Sequence, residues 1–149
     1  MSRLVRWLAA AFVPAAIGAA FPAPEYYAEL RKPSWAPPTW LFGPAWTLLY
    51  LLMAIAAWLA VDHGGPGGRR AAQLWGFQLV LNAIWSPIFF GLRVPSAALV
   101  GIVGMWMAIA VTTLAFFRRH SLAGALMLPY LAWVTFATAL NYEIWRRNR

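Results

Sequence analysis

Residues 44–61 read PAWTLLYLLMAIAAWLAV, a run without a single charged side chain. A helix of that length rises about 27 Å, close to the ~30 Å hydrocarbon thickness of a bilayer. The run is continuously apolar and does not alternate, so it predicts a membrane-spanning helix and argues against a β-barrel strand. Further runs of the same kind cover about 4–21, 71–92, 96–117 and 122–145. The expected fold is therefore all-α and integral to a membrane. It is a single domain over residues 1–149, a five-transmembrane-helix bundle whose long ordered first loop, about 22–43, caps a cavity.

The composition agrees. Hydrophobic residues make up 62% of the 149 residues and charged residues 11%, against about 25% charged in soluble domains. That excludes a water-facing globule, and the same hydrophobicity excludes disorder. The punctuation between runs is also legible. His63-Gly64-Gly65-Pro66-Gly67-Gly68 is a flexible breaker, Arg93-Val94-Pro95 ends the third run, and Ser96 is the expected N-cap of the fourth. Pro14, Pro87 and Pro129 predict kinks inside runs. The N-terminus has a second reading. Arg3 and Arg6, an apolar stretch and then Gly18-Ala19-Ala20 also match a secretory signal peptide, whose removal would leave four spans.

The net charge is +8. The basic residues stand at the ends of runs, where they meet lipid headgroups, and this placement argues against nucleic-acid binding. Arg3, Arg6, Arg69, Arg70, Arg118 and Arg119 fall on one side of a five-span protein. Arg31, Lys32, Arg93, Arg146, Arg147 and Arg149 fall on the other, so six oppose six and orientation stays open. Cysteine is absent, which removes thiol chemistry and thiolate metal sites. The acidic residues Glu25, Glu29, Asp62 and Glu143 and the histidines His63 and His120 lie in connections or near run ends, without metal-ligand spacing. No conventional nucleophile or acid–base pair stands out, and no ionisable chain crosses the bilayer as a pump requires.

What the sequence holds in surplus is tryptophan, ten in all. The first loop carries Tyr26, Tyr27, Trp35 and Trp40 among several prolines. Either it folds as a lid over one mouth of the bundle or its tryptophans are interfacial anchors. Inside the spans, Trp75, Gln78, Asn82, Trp85 and Phe89 recur at spacings 3, 4, 3, 4 on one helix face. Tyr130, Trp133, Ala137 and Asn141 share a face of the last run, and Trp46 and Tyr50 are one turn apart. Thr47, Thr112, Thr113, Thr135 and Thr138 complete the intramembrane polar set. Two readings of the amides stand side by side. They are interhelical glue, worth about 0.6 to 2 kcal/mol each, or they are polar handles in an aromatic pocket for a flat apolar ligand.

Three ordered motifs carry a resemblance. They are Leu30-Arg31-Lys32-Pro33-Ser34-Trp35-Ala36-Pro37-Pro38-Thr39-Trp40-Leu41-Phe42-Gly43-Pro44-Ala45-Trp46, then Gln78 through Asn82, Trp85 and Pro87 to Gly91, then Pro129-Tyr130-Leu131-Ala132-Trp133 continuing to Asn141 and Trp145. Nearly the whole chain resembles the tryptophan-rich sensory protein family, also called the translocator protein or peripheral benzodiazepine receptor family. The resemblance implies a receptor or regulator in a multi-pass membrane location, expected to be a bacterial cell membrane. It implies that the first helix is retained and that the chain often forms a homodimer. Protoporphyrin IX, haem-like tetrapyrroles, sterols and benzodiazepine-site compounds are the implied ligands, with no required cofactor beyond the porphyrin as ligand. By motif position Tyr26, Tyr27 and Trp35 match the lid. Trp46, Asn82, Trp85, Trp133, Ala137 and Leu140 match the cavity wall, to which the spacing adds Tyr50, Gln78, Phe89 and Asn141. Trp46 and Trp133 are also the candidate redox residues for the alternative reading, light-dependent porphyrin breakdown; a tetrapyrrole or lipid transporter or scaffold is a further alternative. Ser34 replaces an aromatic found in some members, and residues 140–146 fit a weak cholesterol-contact pattern.

Overall fold

The computed structural model describes residues 3–20 and 24–148. Among them the regular elements are all helical: α1 (Arg3–Ala11), α2 (Val13–Ala19), α3 (Pro24–Glu29), α4 (Thr39–Ala57), α5 (Arg69–Ser86), α6 (Pro95–Arg119) and α7 (Ser121–Asn148). A π-helical stretch, Trp58–Asp62, extends α4, and another, Pro87–Leu92, extends α5. Four continuous helices are then long and apolar enough to cross a membrane: Thr39–Asp62, Arg69–Leu92, Pro95–Arg119 and Ser121–Asn148.

Prolines account for where the boundaries depart from expectation. The helix expected from residue 44 begins at Thr39, because extended Pro38 (φ −66°, ψ 152°) already serves as its N-cap. Pro44 therefore lies inside α4, where its missing N–H leaves the Trp40 carbonyl without its usual partner. Pro95 takes the first turn of α6 with Val94 as N-cap, so Ser96 is helical and does not cap. The expected first span, of which residue 21 lies outside the described residues, is divided at Phe12 (φ −88°, ψ 0°). Pro14 cannot donate to the Ala10 carbonyl, and the chain relaxes there. Continuity is largely kept, since the Phe12 N–H donates to Leu8 (3.2 Å) and the Ala16 N–H to Phe12 (3.1 Å). The expected loop of about 22–43 is shorter than predicted, being interrupted by α3 and ended by α4. Pro87 opens a π segment, and Pro129 is absorbed into a continuous α7.

The helices close into a ring, with α1 on α4, α4 on α7, α7 on α6, α6 on α5 and α5 on α2. The contribution of α4 and its extension to the core includes fully buried alanines, Ala54, Ala56, Ala57 and Ala60. Small residues allow the close backbone approach by which helices associate in lipid. Leu48, Phe77, Val80, Val100 and Leu114 are exposed and face the hydrocarbon. Between α6 and α7 a Cβ on Gly124 would collide with the Phe117 ring. Gly124→Val is expected to lower the melting temperature in detergent, at a cost of about 1–3 kcal/mol for overpacking. Truncating the obstacle in Gly124→Val/Phe117→Ala should recover part of that loss.

Arg119 fastens the connection after α4. Its Nε donates to the Ala60 carbonyl (2.7 Å), its Nη2 to Gly65 (2.6 Å) and its Nη1 to Pro66 (3.2 Å). The cation thus satisfies carbonyls at a helix C-terminus, where the helix dipole favours positive charge. At the same end Asp62 accepts from Arg3 (3.2 Å) and from the Trp7 indole (2.7 Å), holding α1 to α4.

Candidate functional site

The ring of helices encloses a cavity of about 490 Å³, within the usual range of small-molecule sites. Its walls are aromatic: Phe42, Trp46 and Tyr50 from α4, Trp85, Phe89 and Phe90 from α5 and its extension, Trp133 from α7 and Tyr27 from α3. Pro14, Ala15, Gly18 and Ala19 of α2 supply a small-residue side, and Ile102 and Met105 of α6 the floor opposite. The polar side chains reaching it are those of Thr39, Asn82, Ser86 and Asn141, together with the tyrosine hydroxyls and indole N–H groups. Among the described residues, no ionised side chain lines it.

Beside the cavity runs a chain of buried hydrogen bonds. The Tyr50 hydroxyl donates to Asn82 Oδ1 (3.2 Å), Asn82 Nδ2 donates to the Tyr130 hydroxyl (2.7 Å), and Tyr130 donates to Gln78 Oε1 (2.7 Å). Gln78 Nε2 then donates to the Trp75 carbonyl (2.9 Å), and the Trp75 indole to the Met53 carbonyl (3.2 Å). Each amide expected on the inner face of this helix is thereby satisfied by protein, as lipid surroundings demand. A second, shorter relay runs from the Trp85 indole to Asn141 Oδ1 (3.1 Å) and from Asn141 Nδ2 to the Pro95 carbonyl (3.1 Å). The threonines serve their own helices. Thr47, Thr112, Thr113, Thr135 and Thr138 each donate to the carbonyl four residues back, at 2.7–2.8 Å.

Trp133 differs. Its Nε1 is buried and has no partner, while the indoles of Trp7, Trp75, Trp85 and Trp106 all donate. An unsatisfied buried donor costs about 1–3 kcal/mol. The ring touches Trp46 (6.4 Å between centroids), Phe42 (6.2 Å) and Phe136 (5.7 Å).

Of the residues singled out in the sequence, Tyr27, Trp46, Tyr50, Asn82, Trp85, Phe89, Trp133, Ala137, Leu140 and Asn141 meet at this cavity. Three do not reach it. Gln78 is fully buried behind the wall, committed to Tyr130. Tyr26 packs on Phe89 (6.1 Å) beneath the Arg93 guanidinium (5.0 Å), which a left-handed backbone (φ 58°) presents to the ring. Trp35 is 45% exposed and rests on Phe136 (5.5 Å). Ile102, Met105 and the α2 residues line the cavity but carry no polar or aromatic mark in the sequence. Only knowledge of the helix order brings them in.

Directed bonds hold the segment from α3 to α4. The Asn148 side chain accepts from the Arg31 N–H (3.0 Å) and donates to the Arg31 carbonyl (2.9 Å). Lys32 Nζ donates to the carbonyls of Tyr27 (2.6 Å) and Leu30 (3.2 Å), and it stands over the Tyr27 ring (4.7 Å). The Tyr27 hydroxyl donates to the Pro37 carbonyl (3.3 Å). Burial pushes the Tyr27 phenol above its ordinary value of 10.0, because the charged form is the one disfavoured by desolvation. The folded state thus prefers the neutral donor. The contribution is full below pH 10 and is lost only as pH rises through the raised value. Subtracting the phenolate titration of Tyr27→Phe from that of the wild type should place this group above pH 10.

The sequence is similar to that of known proteins. The TspO/MBR family model matches residues 6–146. The chain is 43% identical over 142 residues to the tryptophan-rich sensory protein of Cereibacter sphaeroides, covering 95% of this chain and 89% of that protein. It is 45% identical over 123 residues to the tryptophan-rich protein TspO of Archaeoglobus fulgidus, covering 83% and 80%. It is 44% identical over 127 residues to the human translocator protein, covering 83% and 75%. The chain therefore belongs to the TspO/MBR family and is an integral membrane protein.

Proposed function

We propose that this chain is a membrane receptor or regulator that encloses a porphyrin, such as protoporphyrin IX or a haem-like tetrapyrrole, or another flat apolar ligand. The observation that carries the reading is a cavity of about 490 Å³ walled by aromatic rings, with no ionised side chain among the described residues that line it. Aromatic faces stack on a macrocycle, and the Asn82 and Asn141 amides are polar handles at the wall. Lys32 is engaged on backbone carbonyls, and Arg31 beside it offers a cation for carboxylates at the mouth. A relative named as a sensory protein supports a regulatory role.

In this reading α1 and α2 together form a fifth crossing. Their residues 3–19 rise about 25 Å if helical throughout, and the bonds across Phe12 keep them nearly continuous. The segment around α3 is the lid, latched through Asn148, Lys32 and Tyr27. The protein resides in a bacterial cell membrane, as a homodimer. Titrating protoporphyrin IX against tryptophan fluorescence in detergent tests the reading. Saturable quenching is expected, and its absence would remove the porphyrin assignment.

Light-dependent porphyrin breakdown is a second reading, favoured by the oxidisable rings packed at the wall. Trp46 lies 5.5 Å from Tyr50, 6.2 Å from Tyr130 and 6.4 Å from Trp133. Illumination of the complex is expected to yield a product spectrum that Trp46→Phe suppresses. A spectrum unaffected by that substitution would leave binding alone.

A further inference from the structure

Trp133 stands between two spaces. It lines the central cavity and also a shallower groove of about 340 Å³ on the outer side of α4 and α7. The groove is formed with Ala45, Leu48, Ala132 and Phe136, among others. It lies on the hydrocarbon-facing surface, where Leu48 is 56% exposed and Ala132 is exposed too. Ala45 and Ala132 are small, so little but the indole separates the groove from the cavity at this point.

The partition is held differently from the rest of the wall. Trp85, the corresponding indole of α5, is tied by its N–H to Asn141. The Trp133 indole N–H has no such tie, and its ring is held by packing, including contacts with Phe42, Trp46 and Phe136. The boundary at α3, by contrast, carries directed bonds from Asn148, Lys32 and Tyr27. A flat apolar ligand concentrates in the hydrocarbon phase and not in water, on the side where the groove opens.

We infer that Trp133 is a side gate. Rotation of its ring joins groove and cavity and admits an apolar ligand from the bilayer between α4 and α7, while the α3 mouth stays latched. The inference rests on the cavity being a ligand site and adds the route by which that site fills.

The test follows loading of the uncharged dimethyl ester of protoporphyrin IX from donor vesicles into the full chain in lipid nanodiscs, read by tryptophan quenching. Ala132→Trp fills the groove without touching the cavity lining, and Ala45→Leu is a milder form should the first fail to fold. Either is expected to slow loading on the order of tenfold and leave the end-point affinity unchanged. Asn148→Ala, which unlatches the mouth, is expected to leave the rate as in the wild type, as is Val100→Trp, a bulky change elsewhere on the lipid face. The gate is overturned if the groove variants load at the wild-type rate, or if Val100→Trp slows loading equally. A second arm needs no ligand. With 5-fluorotryptophan incorporated and the Trp133 resonance assigned through Trp133→Phe, fluorine NMR should show exchange that Ala132→Trp quenches. A single sharp Trp133 line in both proteins would overturn the gate. Absence of quenching in the wild type would remove the ligand reading, while this second arm still decides whether the ring moves.

Discussion

Trp46→Phe combined with Trp133→Phe is expected to weaken protoporphyrin IX binding about 5- to 30-fold. Two wall indoles become smaller rings, each losing part of a stacking contact worth about 0.5–1.5 kcal/mol. Together these come to roughly 1–2 kcal/mol, at about 1.4 kcal/mol per tenfold change. The empty double variant should melt close to the wild type, because lost packing is offset by removal of the orphaned donor. Equilibrium quenching needs care when tryptophans are removed, so porphyrin absorbance is the better readout. An affinity equal to the wild type would place the ligand outside this cavity.

Gly18→Phe is expected to abolish binding while the helices still form. Gly18 lines the cavity from α2, and a Cβ there would meet only Ser86 Oγ at 3.5 Å, an ordinary contact. The added ring therefore has room to enter, and the room it takes is the ligand's. Since α2 is helical through this residue with no left-handed backbone, the substitution carries no conformational penalty of the kind glycine usually avoids. Helical circular dichroism should persist as porphyrin absorbance shifts disappear. Retained binding would mean that α2 does not border the bound ligand, and would also weaken the case for α1 and α2 as the fifth crossing.

Much of this site was legible beforehand because its residues are chemically conspicuous. An amide or indole in lipid has to find a partner. The 3, 4, 3, 4 spacing of Trp75, Gln78, Asn82, Trp85 and Phe89 therefore identifies an inward face, and Trp75, Gln78, Asn82 and Phe89 are all buried. Spacing alone could not separate wall from support. Gln78 and Asn82 share that face, yet Asn82 lines the cavity and Gln78 sits behind it, because the Tyr130 hydroxyl lies between them and bonds both. The helix ends were misplaced where proline has more than one use. Pro44 looks like a first-turn residue, but Pro38 upstream already sets the extended cap.

The sequence by itself determined the solvent. Apolar runs of the right length, charges at their ends and too few polar residues to cover a globule leave a membrane as the surroundings. It also determined which residues must turn inward, since period and polarity are local properties of one helix. Only the tertiary structure decided which inward faces meet. That depends on the closed order of helices, α1 and α2 against α4 and α5, and α7 between α4 and α6, which arises from shape matching between distant segments. The same order sets Trp133 between cavity and lipid without a hydrogen-bond partner. A residue's lack of a partner is a statement about every helix around it, so no reading of the α7 sequence alone could supply it.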